Sequence, residues 1–234
     1  MVLTTEGGDA ALLRAQQTLA RAGAIGLATA WYQRPLDLLG GGILFVLFLP
    51  FGAVIAALIK FVSPGPILFR QERVGKDGQT FTVYKFRTMR VDADQRVHQE
   101  YFERYRQGIV APDQDGDIYK LRRDPRLIRG AGSLRRLGLD ELPQIINVLK
   151  GDMSLVGPRP PLPYEVDLYD ERDYLRLTVK PGMTGLWQIR GRDVVTYRTM
   201  IDLDLEYVER QSLRLDLAIL LLTVPTLVWS SIKS

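Results

Sequence analysis

The 234-residue chain contains no cysteine and a single histidine, His98. The first absence excludes disulfides, thiolate nucleophiles, iron–sulfur clusters and Cys-ligated zinc. The second excludes multi-His metal sites and leaves a Ser-His-Asp triad only if His98 is its base. An excess of one charge is also lacking. Lys and Arg number 31 against 27 Asp and Glu, and the net +4 is too small for a nucleic-acid binder. Chemistry therefore falls to carboxylates, Lys, Arg, Ser, Thr or Tyr, with a hard, oxygen-bound metal if there is one. With 46% hydrophobic and 25% charged residues, the chain is neither disordered nor a plain membrane bundle. Its length suits one domain, or a domain with a short appendage.

The averages conceal a partition. Residues 38–59 carry no formal charge across 22 positions. A straight helix of that length is about 33 Å, against about 30 Å of bilayer hydrocarbon. Arg34 precedes the run, and Lys60, Arg70, Arg73 and Lys76 follow it, so both ends carry the charge of a cytoplasmic flank. Pro50, in its middle, deletes one helical hydrogen bond. A re-entrant hairpin and a Pro-kinked spanning helix both fit. In the first 33 residues, Arg14 and Arg21 precede AGAIGLATA. This reads as a weakly amphipathic helix at the membrane surface, with signal-type cleavage after Ala28-Thr29-Ala30 the lesser alternative. Residues 217–232 are 16 uncharged positions broken by Pro225 and carrying Trp229. They fit an interfacial helix or a buried core helix. Residues 60–136 hold 17 Lys or Arg against 10 Asp or Glu. Positive charge thus collects where headgroups and phosphorylated substrates are met.

Local signals place the polar residues. Ser63-Pro64-Gly65-Pro66 is a stop and turn. ILFRQERV and QTFTVYKF flank Gly75-Lys76-Asp77-Gly78, a hairpin pattern. Residues 92–107 read as a polar helix or loop in which His98 has no assigned role, and 111–117 as an acidic loop lacking the terminal Glu of an EF-hand. Leu142, Ile145, Ile146 and Leu149 fall on one helical face, with Gly151 as the stop. Pro143 requires a first turn, so the spacing predicts a helix starting near Asp140. Two readings of Asp140 and Glu141 then stand. Either Asp140 is an N-cap worth about 1 kcal/mol and Glu141 complements the helix dipole, or an ionised Asp waits among cations as a nucleophile for a phosphate. The segment Gly157-Pro158-Arg159-Pro160-Pro161 is stiff and fixes one Arg. KPGMTGLWQ, followed by Arg190-Gly191-Arg192, repeats the pairing of Gly-rich backbone with fixed cations.

Taken together, FRQERVGKDGQTFTVYKFRTM, LDELPQIINVLKGDMSLVGPRP, KPGMTGLWQIRGR and LDLEYVERQSLRLDLAIL resemble the bacterial sugar transferases, the monotopic phosphoglycosyl transferases that act on undecaprenyl phosphate. The resemblance runs from about Arg34 to the C-terminus. It implies transfer of a sugar-1-phosphate from a UDP-sugar to a polyprenyl (undecaprenyl) phosphate, with release of UMP. The place implied is the cytoplasmic face of the bacterial inner membrane, at the start of O-antigen, capsule or exopolysaccharide assembly. It also implies that Asp140 forms a covalent phosphosugar intermediate in a ping-pong mechanism, and that Asp140 and Glu141 hold Mg²⁺. Substrate or phosphate contacts are implied for Lys85, Arg87, Arg135, Arg159, Arg192 and Asp204. Pro50, with Arg34 and Asp37, is implied to form a hairpin that does not cross the membrane.

The expected fold is α+β: a small cytoplasmic helical domain with a β-hairpin, anchored by the Pro-broken re-entrant helix and by interfacial amphipathic helices. The expected division is an N-terminal extension at 1–33, the membrane hairpin at 34–62 and the catalytic domain at 63–234, with room for a homodimer. Two departures from the family pattern stand out. Leu49 replaces the Ser that often precedes the hairpin proline, and 33 residues stand where large members carry four spanning helices. A catalytically inactive, membrane-attached scaffold of a polysaccharide assembly complex is the competing class, disfavoured by the intact Asp140-Glu141 pair and its surrounding arginines.

Overall fold

The uncharged run lies inside a 30-residue helix, α1 (Gln33–Val62), in the computed structural model, which describes residues 30–90, 96–109, 126–191 and 196–233. The expectations for residues 1–29, the loop at 111–117 and Arg192 lie outside the described residues. Among those described, α1 alone is long and apolar enough to cross a membrane. Its two flanks, however, both pack on the rest of the chain. Toward its start, a Cβ at Gly40 would meet Leu155 Cδ1 at 2.7 Å, and one at Gly41 would meet Leu149 Cδ2 at 3.3 Å. A larger residue at either position would have to push a leucine side chain aside. Toward its end, Ile55 and Ile59 are buried in a cluster with Phe86, Ile128 and Ala131. Val46, Leu47, Leu49 and Phe51, around Pro50, are exposed.

Polar contacts fix the first flank. Arg34 donates from Nη1 to the carbonyl of Val148 and from Nη2 to that of Leu149, at 2.9 and 2.8 Å. These carbonyls end the helix α4 (Ile145–Lys150), where a cation is well placed. Asp37, almost fully buried, accepts from Ser154 Oγ and from the Leu155 amide.

The hairpin forms as its turn residues require. Strands β1 (Leu68–Val74) and β2 (Thr80–Phe86) pair antiparallel, with Arg73 opposite Phe81 and Phe69 opposite Lys85. Asp77 takes the positive φ of 57° that Asp tolerates better than most residues. After α2 (Arg96–Arg106) and α3 (Ala131–Arg136) comes a 3₁₀ turn, Leu139–Gln144, that leads into α4. This corrects the predicted helix start: the regular α-helix begins at Ile145, not near Asp140. Pro143 has no amide to return to Leu139, so the segment winds more tightly. The residue preceding the turn is Gly138, at φ 69°, so Asp140 lies within the turn and is not its N-cap. The buried face also differs from the predicted one. Asn147 and Val148 are completely buried, because α1 and β2 cover α4 from two sides.

A short parallel pair joins β3 (Ser154–Val156) to β4 (Gly182–Thr184), with α5 (Pro163–Val166) and a further 3₁₀ turn, Asp173–Thr178, between them. Helices α6 (Leu186–Gly191), α7 (Tyr197–Arg210) and α8 (Leu213–Lys233) complete the chain. One core groups Val83, Val148, Val156, Tyr207 and Ile219. A second, largely aromatic core groups Phe102, Tyr105, Trp187 and Tyr197. Helix α8 is divided: Ile219 and Asp216 are fully buried, as the core-helix expectation has it, while Leu217, Leu221, Leu222 and Val224 are exposed.

Candidate active site

Asn147 sets the distance between the hairpin and the Asp140–Glu141 turn. Its Oδ1 accepts from the Tyr84 amide at 3.2 Å, and its Nδ2 donates to the Thr82 carbonyl at 2.7 Å. Both backbone groups on the inner edge of β2 are thereby satisfied, and the next residue, Lys85, is delivered toward the turn. Lys85 Nζ lies 2.9 Å from Glu141 Oε1. Arg159 Nη1 approaches the same oxygen at 3.8 Å.

Arg159 comes from the 157–161 segment, whose backbone is packed against the Gly-rich string of β4. A Cβ on Gly157 would lie 2.3 Å from the Lys180 carbonyl, and one on Gly182 would lie 2.1 Å from the Gly157 nitrogen. No other residue type fits either position without moving backbone. Arg73, buried on β1, donates to the Pro160 carbonyl at 2.9 Å.

These side chains border a small, partly open cavity, lined by Arg73, Lys85, Arg159, Glu141, Gln144 and Gln188 together with Val83, Pro160, Gly182 and Met183. Burial pulls the Lys85 amine down to about 8, as do Arg159 and Arg73, while Glu141 and Asp140 oppose the shift. Two cations, Lys85 and Arg159, thus converge on the Glu141 carboxylate, and Arg73 lines the same space, a surplus of positive charge suited to an anion with more than one phosphate.

The structure brings Lys85, Glu141 and Arg159 together at the cavity; Asp140, near enough to act on the charge of Lys85, is buried at 4% exposure and is not itself among the lining residues. Three other predicted residues are likewise absent from the cavity lining. Arg87 is buried and donates to the carbonyls of Pro64 and Ser63 at 2.7 and 2.8 Å, closing the exit of α1. Arg135 is buried on α3, which packs against the 3₁₀ turn, and does not line the cavity. Asp204 is buried on α7 in an ion pair with Arg176. Burial pushes the Asp204 carboxyl up to about 6, against the pull of Arg176.

Sequence reasoning missed Arg73, Gln144 and Gln188 as cavity residues. A signal for Arg73 existed. In an antiparallel pair, opposed residues share a face, so fixing the turn at Gly75–Gly78 puts Arg73 and Phe81 on the face that carries Val83 and Lys85.

Asp140 and Glu141 also bear on metal binding. Among the described residues no group of three or more His, Cys, Asp or Glu could hold a metal ion. Two adjacent carboxylates beside a cationic cavity fit the way Mg²⁺ is usually held, by one or two carboxylates and substrate phosphates rather than by an all-protein cage.

Comparison with known proteins bears on the same residues. The profile of the bacterial sugar transferase family matches residues 28–230. The chain is 40% identical over 201 residues to the exopolysaccharide production protein ExoY of Rhizobium meliloti (strain 1021), covering 85% of this chain and 86% of that protein. It is 40% identical over 204 residues to the UDP-glucose:undecaprenyl-phosphate glucose-1-phosphate transferase of Caulobacter vibrioides, covering 84% and 69%. It is 45% identical over 160 residues to the undecaprenyl-phosphate galactose phosphotransferase of Salmonella typhimurium, covering 68% of this chain and 33% of that longer protein.

Proposed function

The chain belongs to the bacterial sugar transferase family, and from that premise we propose that it is a phosphoglycosyl transferase moving a sugar-1-phosphate from a UDP-sugar to a polyprenyl phosphate, with release of UMP. The observation that carries this reading is the cavity in which Lys85 and Arg159 approach Glu141, with Arg73 in its wall and Asp140 next in sequence.

In this reading the three cations bind the donor diphosphate and spread its charge. An Asp140 carboxylate oxygen attacks the phosphorus nearer the sugar. A P–O bond forms to Asp140 as the bond to the bridging oxygen breaks, and that oxygen leaves with UMP. A phosphate oxygen of the lipid carrier then attacks the same phosphorus and displaces Asp140. One small site so serves a soluble donor and a lipid acceptor in succession. Mg²⁺ bound by Asp140 and Glu141 would neutralise the diphosphate and stabilise the leaving UMP. Lys85 holds Glu141 in place until the diphosphate arrives.

The membrane arrangement in this reading is re-entrant, on the cytoplasmic face of the inner membrane. Support comes from α1, whose two flanks pack on one domain while the residues around Pro50 are exposed and apolar.

The test uses the full chain in nanodiscs, a panel of UDP-sugars, undecaprenyl phosphate and Mg²⁺. Expected are UMP release by ping-pong kinetics, a phosphosugar adduct on Asp140 in intact-protein mass spectra without acceptor, and a folded Asp140→Asn that does neither. Full turnover by Asp140→Asn would remove the nucleophile assignment. No UMP release by the wild type from any donor would favour the scaffold class.

A further inference from the structure

The segment that presents Arg159 has three prolines, at 158, 160 and 161. It therefore has few amides by which the fold can hold it. Its carbonyls serve instead, and four in succession are clamped. Pro158 accepts from the Gly182 amide at 2.8 Å, Arg159 from Arg176 Nη2 at 3.3 Å, Pro160 from Arg73 Nη1 at 2.9 Å and Pro161 from the Val74 amide at 2.9 Å. Three of the clamps come from residues in or next to the cavity wall. The clamp on Arg159 itself comes from behind.

Arg176 stands on the 3₁₀ turn Asp173–Thr178, 4% exposed, and does not line the cavity. Its Nη2 also pairs with Asp204 Oδ2, and its Nη1 donates to the Tyr169 hydroxyl at 2.7 Å. A buried ion pair is weak evidence of stability, since its desolvation offsets most of its attraction. What this pair does have is a fork aimed at the peptide that carries Arg159.

We propose that Asp204, Arg176 and Tyr169 are positioning residues: they set the Arg159 guanidinium toward the phosphates of the donor and act on binding only through it. This rests on the transferase reading for the identity of the donor. It reassigns Asp204 from a substrate contact to the far end of a three-residue support. The Asp204 carboxylate holds Arg176, whose fork holds the Arg159 carbonyl, and the rigid proline segment converts that into a fixed side-chain direction.

The test is a double-mutant cycle on the full chain in nanodiscs, with UDP affinity measured by calorimetry. Arg176→Lys keeps the charge but cannot span three acceptors, and should weaken UDP by about tenfold, the worth of a charge-assisted contact. In an Arg159→Ala background the same change should cost no more than about twofold. Tyr169→Phe removes one hydroxyl without changing shape and should cost about threefold alone and nothing in that background. It carries the cycle by itself should Arg176→Lys fail to fold. The donor KM should rise in step with the UDP dissociation constant. Equal losses in both backgrounds, or wild-type UDP affinity in folded Tyr169→Phe, would overturn the proposal. A wild type that binds UDP yet releases no UMP would defeat the transferase reading while the cycle still decided this one. A wild type that binds no UDP defeats both.

Discussion

Asp37, on the apolar helix, accepts a hydrogen bond from Ser154 Oγ at 2.8 Å, and the same oxygen takes the Leu155 amide at 2.8 Å. A carboxylate in the first turns of the long apolar helix is thus spent on the strand that leads to the Arg159 segment. Asp37→Ala strands two buried donors, and the expected loss is about 2–4 kcal/mol of stability. Thermal unfolding in nanodiscs measures it. Asp37→Asn, which keeps an acceptor, should recover part of the loss.

Topology around Pro50 is open to direct labelling. Cysteine tags placed near residues 34 and 70 in intact cells should be shielded from the same membrane-impermeant reagent, because both flanks of α1 pack on one domain. Labelling of one tag alone would defeat the hairpin.

Arg87 and Arg159 should separate cleanly. Removing Arg87 leaves the Ser63 and Pro64 carbonyls without their donors, so Arg87→Ala should lower stability by about 2–3 kcal/mol while UDP affinity is retained. Arg159→Ala should do the reverse, with a small stability change and about tenfold weaker UDP binding. Melting curves and calorimetry on the two variants suffice. A UDP loss in folded Arg87→Ala equal to that in Arg159→Ala would return Arg87 to the site.

The Asp204 carboxyl gives a pH dependence whose sign is fixed. Its value is raised from 3.8 to about 6, first by burial. Between those values the folded chain holds a proton that the unfolded chain has released, so this group's contribution to stability is present below about pH 4 and is lost as pH rises through 6. The wild type should therefore lose stability relative to Asp204→Asn across that window. Parallel stability curves for the two proteins from pH 4 to 6 would contradict the assignment.

Much of the site was legible because it depends on local chemistry. The hairpin follows from its turn residues, and its register puts Lys85 on an inward face. The 157–161 segment was readable as a rigid holder of one Arg. The start of α4 was misplaced because Pro143, read as a first-turn residue of a regular helix, sits instead in a tighter 3₁₀ turn that precedes it, and only three-dimensional packing reveals that Asn147 is buried deeper than Leu149. Arg87 and Lys85, two residues apart, looked alike on paper. Their separation depends on what sits opposite each: the exit loop of α1 for one and Glu141 for the other. Arg176 had no local signal at all, since its partners lie 7, 17 and 28 residues away.

In the proposed re-entrant arrangement, the docking of α1 at both flanks would change the kinetics a lipid acceptor meets. A catalyst held in one leaflet would search for its carrier in two dimensions, and the relevant concentration would become carriers per unit of membrane area. At constant bulk carrier, diluting the nanodiscs or vesicles with inert phospholipid should slow the second half-reaction in proportion to the surface fraction. The first half-reaction, fed from solution by the nucleotide donor, should not respond.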